Sequence, residues 1–281
     1  MRPILITGAG GTLGSAVRRI CEQRGLAYVL TTRRELDIAS RDSVHAALER
    51  YEPWLVINAA GYVRVDDAER DHERCRRENV LGPEILARAC SRARVQMVLY
   101  SSDLVFDGAK TEPYEEHDKP SPLGVYGRTK YEAEQRVLDG HPGALVVRTS
   151  AFFGPWDDRN FVTATLRGLA AGRTVRAADD TTMSPTYVPD LVHACLDLAI
   201  DGETGIWHLA NIGAMTWAAL ARAAARTAGY AENLVIGVSM RSLGLAARRP
   251  RFSALGSTRG LLLPRVDHAL DHYHGTRKDN R

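Results

Sequence analysis

Short, continuous apolar runs punctuate the first half of the chain: Ile4 to Thr7, Tyr28 to Thr32, Leu55 to Asn58, Gln96 to Tyr100 and Ala144 to Arg148. Between them lie segments with helical periodicity, about Leu13 to Arg24, Ser43 to Arg50, Glu73 to Arg92 and Tyr126 to Leu138. Strands without polar alternation, each followed by a helix, are the signature of a parallel sheet covered on both faces. The pattern predicts a Rossmann-type, doubly wound α/β domain over residues 1–150, with right-handed crossovers. The remainder, 151–281, reads as a smaller C-terminal lobe with some segments returning to the first domain. Its elements are helices at Phe161 to Ala171, Pro189 to Ile200 and Trp217 to Ala228, and strands at Thr174 to Ala177 and Ile206 to Leu209. Arg241 to Arg265 has little periodicity, and the closing HGTRKDNR reads as a frayed polar tail.

Composition narrows the class without naming a chemistry. With 281 residues, 44% hydrophobic and 25% charged, the chain can bury a core without staples. A formal net charge of +3 gives no general reason to expect nucleic acid or membrane as a partner. Cys21, Cys75, Cys90 and Cys195 are widely spaced, each within a helical stretch, so buried thiols of a reducing compartment are expected rather than disulfides or zinc ligands. The chain opens directly into a strand and a glycine turn and holds no apolar run near ~18 residues. It therefore reads as cytoplasmic.

The glycine turn is the first chemical signal. ILITGAGGTLG places Gly8, Gly11 and Gly14 between a strand and a helix. Gly8 would permit the tight turn, Gly11 the close approach of backbone to a pyrophosphate, and Gly14 the packing of helix on strand. The helix N-terminus would then supply N–H groups and dipole to the phosphates. At the end of the second strand, Arg33 and Arg34 suit a 2′-phosphate and so favour NADP(H), with NAD(H) as the alternative if both arginines merely face solvent. Asp37 and Ile38 would lie beside the adenine, and Asn58, Ala59 and Ala60 end the next strand with small residues.

A second signal lies on the helix at Tyr126. Tyr126 and Lys130 are four residues apart and share a face. A phenol with a free pKa of about 10 is a poor acid or base near neutrality, and a neighbouring ammonium lowers that barrier. Ser101 and Ser102 stand at the C-terminal end of an apolar strand, where open α/β sheets place their ligands. Together they suggest proton delivery from Tyr126 to an oxygen held by a serine hydroxyl. The histidines form no metal pattern: His268 and His272 share a spacing but lack a third ligand. Trp207 and Trp217 read as packing residues.

These pieces, in order, resemble the extended short-chain dehydrogenase/reductases, most closely the dTDP-4-dehydrorhamnose reductase branch. The resemblance runs through GAGGTLG, INAAGYVRVDDAE, SSDLVFDG, PLGVYGRTKYEAE, RTSAFFG, SPTYVPDL and RRPRFSALGSTR. It implies Ser102, Tyr126 and Lys130 as the catalytic set, and a nucleotide-linked 4-keto-6-deoxy sugar as the substrate. It extends the cofactor side to Gly10, Thr12, Leu13, Tyr62, Asn79, Ser101 and Thr149, with Lys130 serving there as well. On the substrate side it implies Val65, Asp103, Phe106, Asn160, Thr186, Tyr187, Arg248, Arg251 and Ser253, with Arg249 and Asn211 nearby. No metal ligand set is expected, and a homodimer follows only by fold-level analogy. Two departures stand out: Leu104 where the family carries a tyrosine, and Gly256 where it carries an aspartate. They leave open an epimerase, a reductase of non-sugar carbonyls, or a non-catalytic NADP-binding subunit.

Overall fold

The computed structural model describes residues 2–260 and 263–279. Chain order begins β1 (Ile4–Thr7), α1 (Thr12–Gln23), β2 (Tyr28–Thr31), α2 (Arg41–Tyr51), β3 (Leu55–Asn58), α3 (His72–Arg76), α4 (Gly82–Ala93), β4 (Gln96–Tyr100), α5 (Val125–Gly140) and β5 (Leu145–Arg148). It continues with β6 (Phe152–Phe153), α6 (Phe161–Ala170), β7 (Val175–Ala178), β8 (Thr182–Met183), β9 (Thr186–Tyr187), α7 (Val188–Ile200) and β10 (Gly205–His208). Last come β11 (Asn211–Ile212), β12 (Met215–Thr216), α8 (Trp217–Thr227), β13 (Val235–Val238), β14 (Leu263–Arg265) and α9 (Val266–Asp279).

Six strands form one parallel sheet in the order β10-β5-β4-β3-β1-β2. The pleat sends alternate residues to opposite faces. Ile4, Ile6, Leu55, Ile57, Val98 and Val147 pack under α1 and α7, while Leu5, Val56, Met97, Leu99 and Val146 pack under α2, α4 and α5. The inner strands β1, β3, β4 and β5 are buried on both sides, and the edge strands β2 and β10 are partly so. That is the physical origin of the continuous apolar runs. The chain runs outward from β1 to β2 and then returns to β3 on β1's other side, so the strand order reverses between β1 and β3. Ligands of open α/β sheets bind at such a point, beyond the carboxyl ends of the strands.

A second set of packed elements follows. Helices α6, α8 and α9 bury Val162, Leu166, Leu220, Ala224, Ala269 and Leu270 together, and β13 pairs with β7. From the same half of the chain, α7 and β10 join the main sheet. Two expectations need correction. The helix read as Glu73 to Arg92 is two α-helices joined by a π-turn at Arg77–Leu81, because Asn79 points inward to bind backbone rather than outward. The segment read as a frayed tail is helical to Asp279, since Ala269, Leu270 and Tyr273 anchor α9 in the second core; its last two residues lie outside the described range. Among the described residues no helix is long and apolar enough to cross a membrane. The four cysteines are free and buried.

Candidate active site

A cleft of about 380 Å³ opens over the carboxyl ends of β3, β4 and β5 and reaches Leu13 in the first turn of α1. Beside it runs the glycine turn, packed against Ala59 of the cleft wall. Gly8 has φ +80°, a left-handed conformation, and a Cβ there would lie 2.6 Å from the Ala59 carbonyl oxygen. A Cβ on Gly14 would come within 2.3 Å of the Gly8 carbonyl oxygen. Only glycine lets the turn, β3 and α1 meet this closely. Gly11 caps α1 without a side chain over the N-terminal N–H groups, and no acidic residue sits in that first turn. The turn thus keeps free donors and a positive dipole end for an anion. Asn58 accepts a hydrogen bond from Thr7 (2.7 Å), while its Nδ2, buried in the cleft wall, has no partner among the described residues. Buried donors are rarely left unpaired, so this amide fits a ligand acceptor in the cleft. The glycine cradle and this donor together suit a dinucleotide.

The opposite wall carries the reactive groups. After β4 the chain makes a short 3-10 turn at Asp103–Val105, capped by Ser102, whose Oγ accepts from the Leu104 N–H at 3.1 Å. The same hydroxyl donates to Asp103 Oδ1 at 3.1 Å, and Ser253 donates to Asp103 Oδ2 at 2.6 Å. Tyr126 and Lys130 come from α5, with the ammonium 5.9 Å from the phenol ring centroid and donating to the Tyr100 carbonyl at 2.7 Å. Burial lowers Lys130 to about 8. Burial, reinforced by the charge of Asp103, pushes the Tyr126 phenol well above its ordinary value, against its hydrogen bond with Ser102. Burial also raises Asp103, against its serine partners. Around neutral pH the phenol is therefore protonated, and the site presents two neutral hydroxyl donors beside one ammonium.

Behind this wall lies an ion pair in the interior. Glu134 and Arg148 are each 1% exposed, joined by two hydrogen bonds of 2.9 and 2.7 Å. Ser101, at the end of β4, donates to Glu134. Removing one partner of such a pair typically costs about 3–5 kcal/mol.

The cleft brings together Leu13, Asn58, Ala59, Ala60, Val65 and Ser101 with Ser102, Asp103, Tyr126, Lys130, Thr149 and Ser253. Several expected residues lie elsewhere. Phe106 is fully buried and stacks on Tyr114 with ring centroids 4.1 Å apart. Asn160 caps α6 through the Thr163 N–H and holds the Gly154 carbonyl. Thr186 and Tyr187 are buried beneath the cleft, and Asn211 receives the Tyr187 N–H at 2.7 Å. These four are held by packing and backbone bonds because the segments that carry them are interior connections. Tyr62 and Asn79 support the wall from behind: Asn79 binds both the Tyr62 N–H and its carbonyl, at 2.8 and 3.0 Å. Asp37 is tied to Arg77 at 2.6 Å and Ile38 packs against Gly82, both outside the cleft. Arg33 is exposed and paired with Glu78 at 2.8 Å, and Arg34 is exposed. Thr12 donates to Asp157 at 2.7 Å.

Arg248 and Arg251 point to solvent, and Arg249 between them faces the cleft. The segment does not alternate as a strand would, since Arg249 and Pro250 both line the cleft while Arg248 and Arg251 are exposed, so no periodicity in the sequence shows which arginine turns inward. Arg249 is held by Asp66 through two contacts of 2.6 Å. Trp217, expected as a packing residue, both packs on Phe161 and forms the cleft wall with Met183. No local motif announces it. Trp207 is buried in the main core, with the Arg259 guanidinium 3.9 Å above its ring. No group of three or more His, Cys, Asp or Glu among the described residues could hold a metal ion.

A reversed-order parallel sheet, a glycine cradle at its switch point and a cleft of this chemistry define an oxidoreductase of the short-chain dehydrogenase/reductase class. Comparison with known proteins gives the family. The model described as the RmlD substrate binding domain matches residues 1–263, and the chain belongs to that family. A dTDP-4-dehydrorhamnose reductase of Mycobacterium tuberculosis is 38% identical over 260 residues, covering 90% of this chain and 84% of the relative. A dTDP-4-keto-6-deoxy-D-glucose reductase of Streptomyces niveus is 34% identical, covering 90% and 88%. The crystal structure of a dTDP-4-dehydrorhamnose reductase from Bacillus anthracis, in complex with NADP, superposes with a TM-score of 0.93 at 29% identity, covering 98% of this chain and 99% of that one.

Proposed function

We propose that this protein reduces the C4 ketone of a dTDP-linked 4-keto-6-deoxy sugar with NADPH, using Tyr126 as proton donor. The observation that carries the reading is that Ser102, Tyr126 and Lys130 line the same cleft as Leu13 of α1 and Asn58, Ala59 and Ala60 at the end of β3, with Gly8 of the glycine turn packed against Ala59. Backbone donors of the Gly8–Gly14 turn and the N-terminus of α1 would hold the pyrophosphate, and Asn58 Nδ2 would take an acceptor of the same ligand. The NADP in complex with the Bacillus anthracis relative supports the choice of NADPH, and Arg33 and Arg34, exposed just beyond β2, are the side chains that would reach its 2′-phosphate. Bound there, the reduced dinucleotide supplies a hydride to the ketone carbon.

The chain's own residues handle the oxygen. Ser102 Oγ turns from Asp103 to donate to the carbonyl oxygen, and the Tyr126 phenol transfers its proton there as the carbon–oxygen π pair becomes a lone pair. The product is the C4 alcohol. Lys130, still charged below about pH 8, stabilises the phenolate left behind, and the same ammonium would hold the nicotinamide ribose of the bound dinucleotide. Segments beyond residue 151 provide the substrate side: Met183 and Trp217 offer an apolar wall for the deoxy-sugar ring, and Arg249 a cation for the diphosphate. Four free, buried thiols support assignment to the cytoplasm.

The test is NADPH oxidation with a panel of nucleotide-linked 4-keto-6-deoxy sugars that includes both ketosugars named by the relatives. Wild-type turnover is expected, reduced about 10²–10⁴-fold by Tyr126→Phe with NADPH affinity retained. Turnover that survives the substitution would sink the assignment of Tyr126. Tight NADPH binding with no turnover on any sugar would sink the substrate.

A further inference from the structure

The α5 face that carries Tyr126 and Lys130 continues one turn further to Glu134, a residue outside the cleft. A buried carboxylate needs partners, and Glu134 has three donors on two other elements. Arg148 of β5 binds it through Nε and Nη2, at 2.9 and 2.7 Å, and Ser101 of β4 donates its hydroxyl. Ser101 is the residue before Ser102, and Lys130 reaches the carbonyl of Tyr100, the residue before Ser101. One side chain thus ties the helix bearing the phenol and the ammonium to the strand end bearing the serine. Packing alone would not require charge at this point, since apolar residues of similar volume fill such sites at no loss of stability.

We propose that Glu134 is a positioning residue for the reduction: it fixes α5 against the end of β4 and supplies the negative charge that Lys130 faces within the protein. The inference rests on the role given to Lys130 above. The groups around that ammonium are few. On its own helix they are Tyr126 and Glu134, from α3 the Cys75 thiol, and from β4 the Tyr100 carbonyl. Asp103 acts on Tyr126 from the 3-10 turn, while Arg148, His208 and Glu116 lie beyond Glu134. Burial works against charge on Lys130, and Glu134 is the foremost group opposing it.

The test is the pH dependence of NADPH affinity, measured on the full-length protein by fluorescence titration, with thermal melts as a check of folding. Wild-type affinity is expected to fall as pH rises through about 8, and Lys130→Met should abolish that dependence. Glu134→Gln should move the midpoint down by about one unit, a roughly tenfold loss of affinity at the wild-type midpoint, and Glu134→Asp should largely restore it. Because Glu134→Gln leaves Arg148 buried without its carboxylate, the double variant Glu134→Gln/Arg148→Met provides a second neutral form with the same expected shift. A folded neutral variant with an unshifted midpoint overturns the proposal. So does a wild-type affinity flat across this range, or the failure of both neutral variants to fold, which would make the pair a folding element only. The readout needs no sugar. An intact shift without turnover on the sugar panel overturns the substrate reading alone, and turnover with an unshifted midpoint overturns this one alone.

Discussion

The two sides of the cleft are built on different principles. The side proposed for the cofactor is local: Asn58 ends β3 and Ala59 follows it directly, and Gly8 and Gly14 of the strand-turn-helix unit β1–α1 pack against Ala59 and each other. The facing side is assembled from Val65, Met183, Trp217, Arg249 and Ser253, which come from separated stretches of chain. These are held by polar ties: Arg249 to Asp66 at 2.6 Å, Ser253 to Asp103 at 2.6 Å, and the Leu255 N–H to Ser184 at 3.0 Å. Steric necessity fixes the first side and pairwise interactions fix the second. The first should therefore break abruptly under small changes, and the second should loosen by degrees.

The largest effect outside the catalytic group should come from Gly14→Ala. Its Cβ would meet the Gly8 carbonyl at 2.3 Å and its carbon at 2.8 Å, both backbone atoms that cannot swing aside. Overpacking of this kind costs about 1–3 kcal/mol, and here the strain falls on the phosphate turn. NADPH affinity should be lost by isothermal titration while the fold persists by circular dichroism. By contrast, Gly10→Ala meets nothing within 4 Å and should bind nearly as the wild type does. Equal damage from both would refute the steric account.

A smaller and more selective effect is expected across the cleft. Arg249→Met removes the cation at the cleft and one partner of Asp66, whose carboxyl is held low chiefly by its hydrogen bond from Arg249. The KM for the nucleotide sugar should rise about 10- to 100-fold, in line with the ~1.5–3 kcal/mol of a charge-assisted bond, and NADPH affinity should hold. Trp217→Ala should act in the same direction through lost apolar contact. A loss of NADPH affinity in either variant would erase the distinction between the two sides.

The same contrast explains what could be read from the sequence. All five first-half strands and the Tyr126–Lys130 face were legible because their causes are local: two-sided burial makes runs apolar, and helical spacing aligns side chains. Gly8 and Gly14 were legible for a similar reason, as no other residue survives there. Asn160, Thr186, Tyr187 and Phe106 stand in segments that do border the site, yet their side chains turn into backbone caps and core packing. Which of Arg248, Arg249 and Arg251 faces inward depends on how a nonperiodic strap crosses the cleft, and Asp66, its anchor, lies far upstream. Trp217 looks like any core tryptophan at the start of an alanine-rich helix; only the placement of α8 against Phe161 and Met183 brings it to the wall.

Acid should expose the difference most gently. His208, fully buried at the end of β10, donates from Nδ1 toward the Tyr114 and Gly256 carbonyls, at 3.0 and 2.9 Å. Its Nε2 faces Arg148 Nη1 at 3.4 Å, so the ring must stay neutral to accept from the guanidinium. Burial, and then the charge of Arg148, lower it from 6.5 to about 4. The unfolded chain therefore takes up this proton first as pH falls. The stability from neutral His208 is complete above about 6.5 and drains away toward about 4, by roughly 3 kcal/mol at most. Glu116, lowered to about 2 by Ser257 and Thr258 against the cost of burial, adds its own loss below 4.5. His208 and Glu116 both fasten the 114–116 and 256–258 loops, on the strap side of the cleft, and neither touches the glycine turn. Melting temperature should thus fall between pH 6.5 and 4. Over the same range, hydrogen-exchange protection, corrected for the intrinsic pH dependence of the amide rate, should fall in those loops before it falls in β1 and α1. His208→Asn should flatten the upper part of this acid limb at the cost of lower stability at neutral pH. A limb unchanged in that variant would mean that the strap is held by something other than this ring.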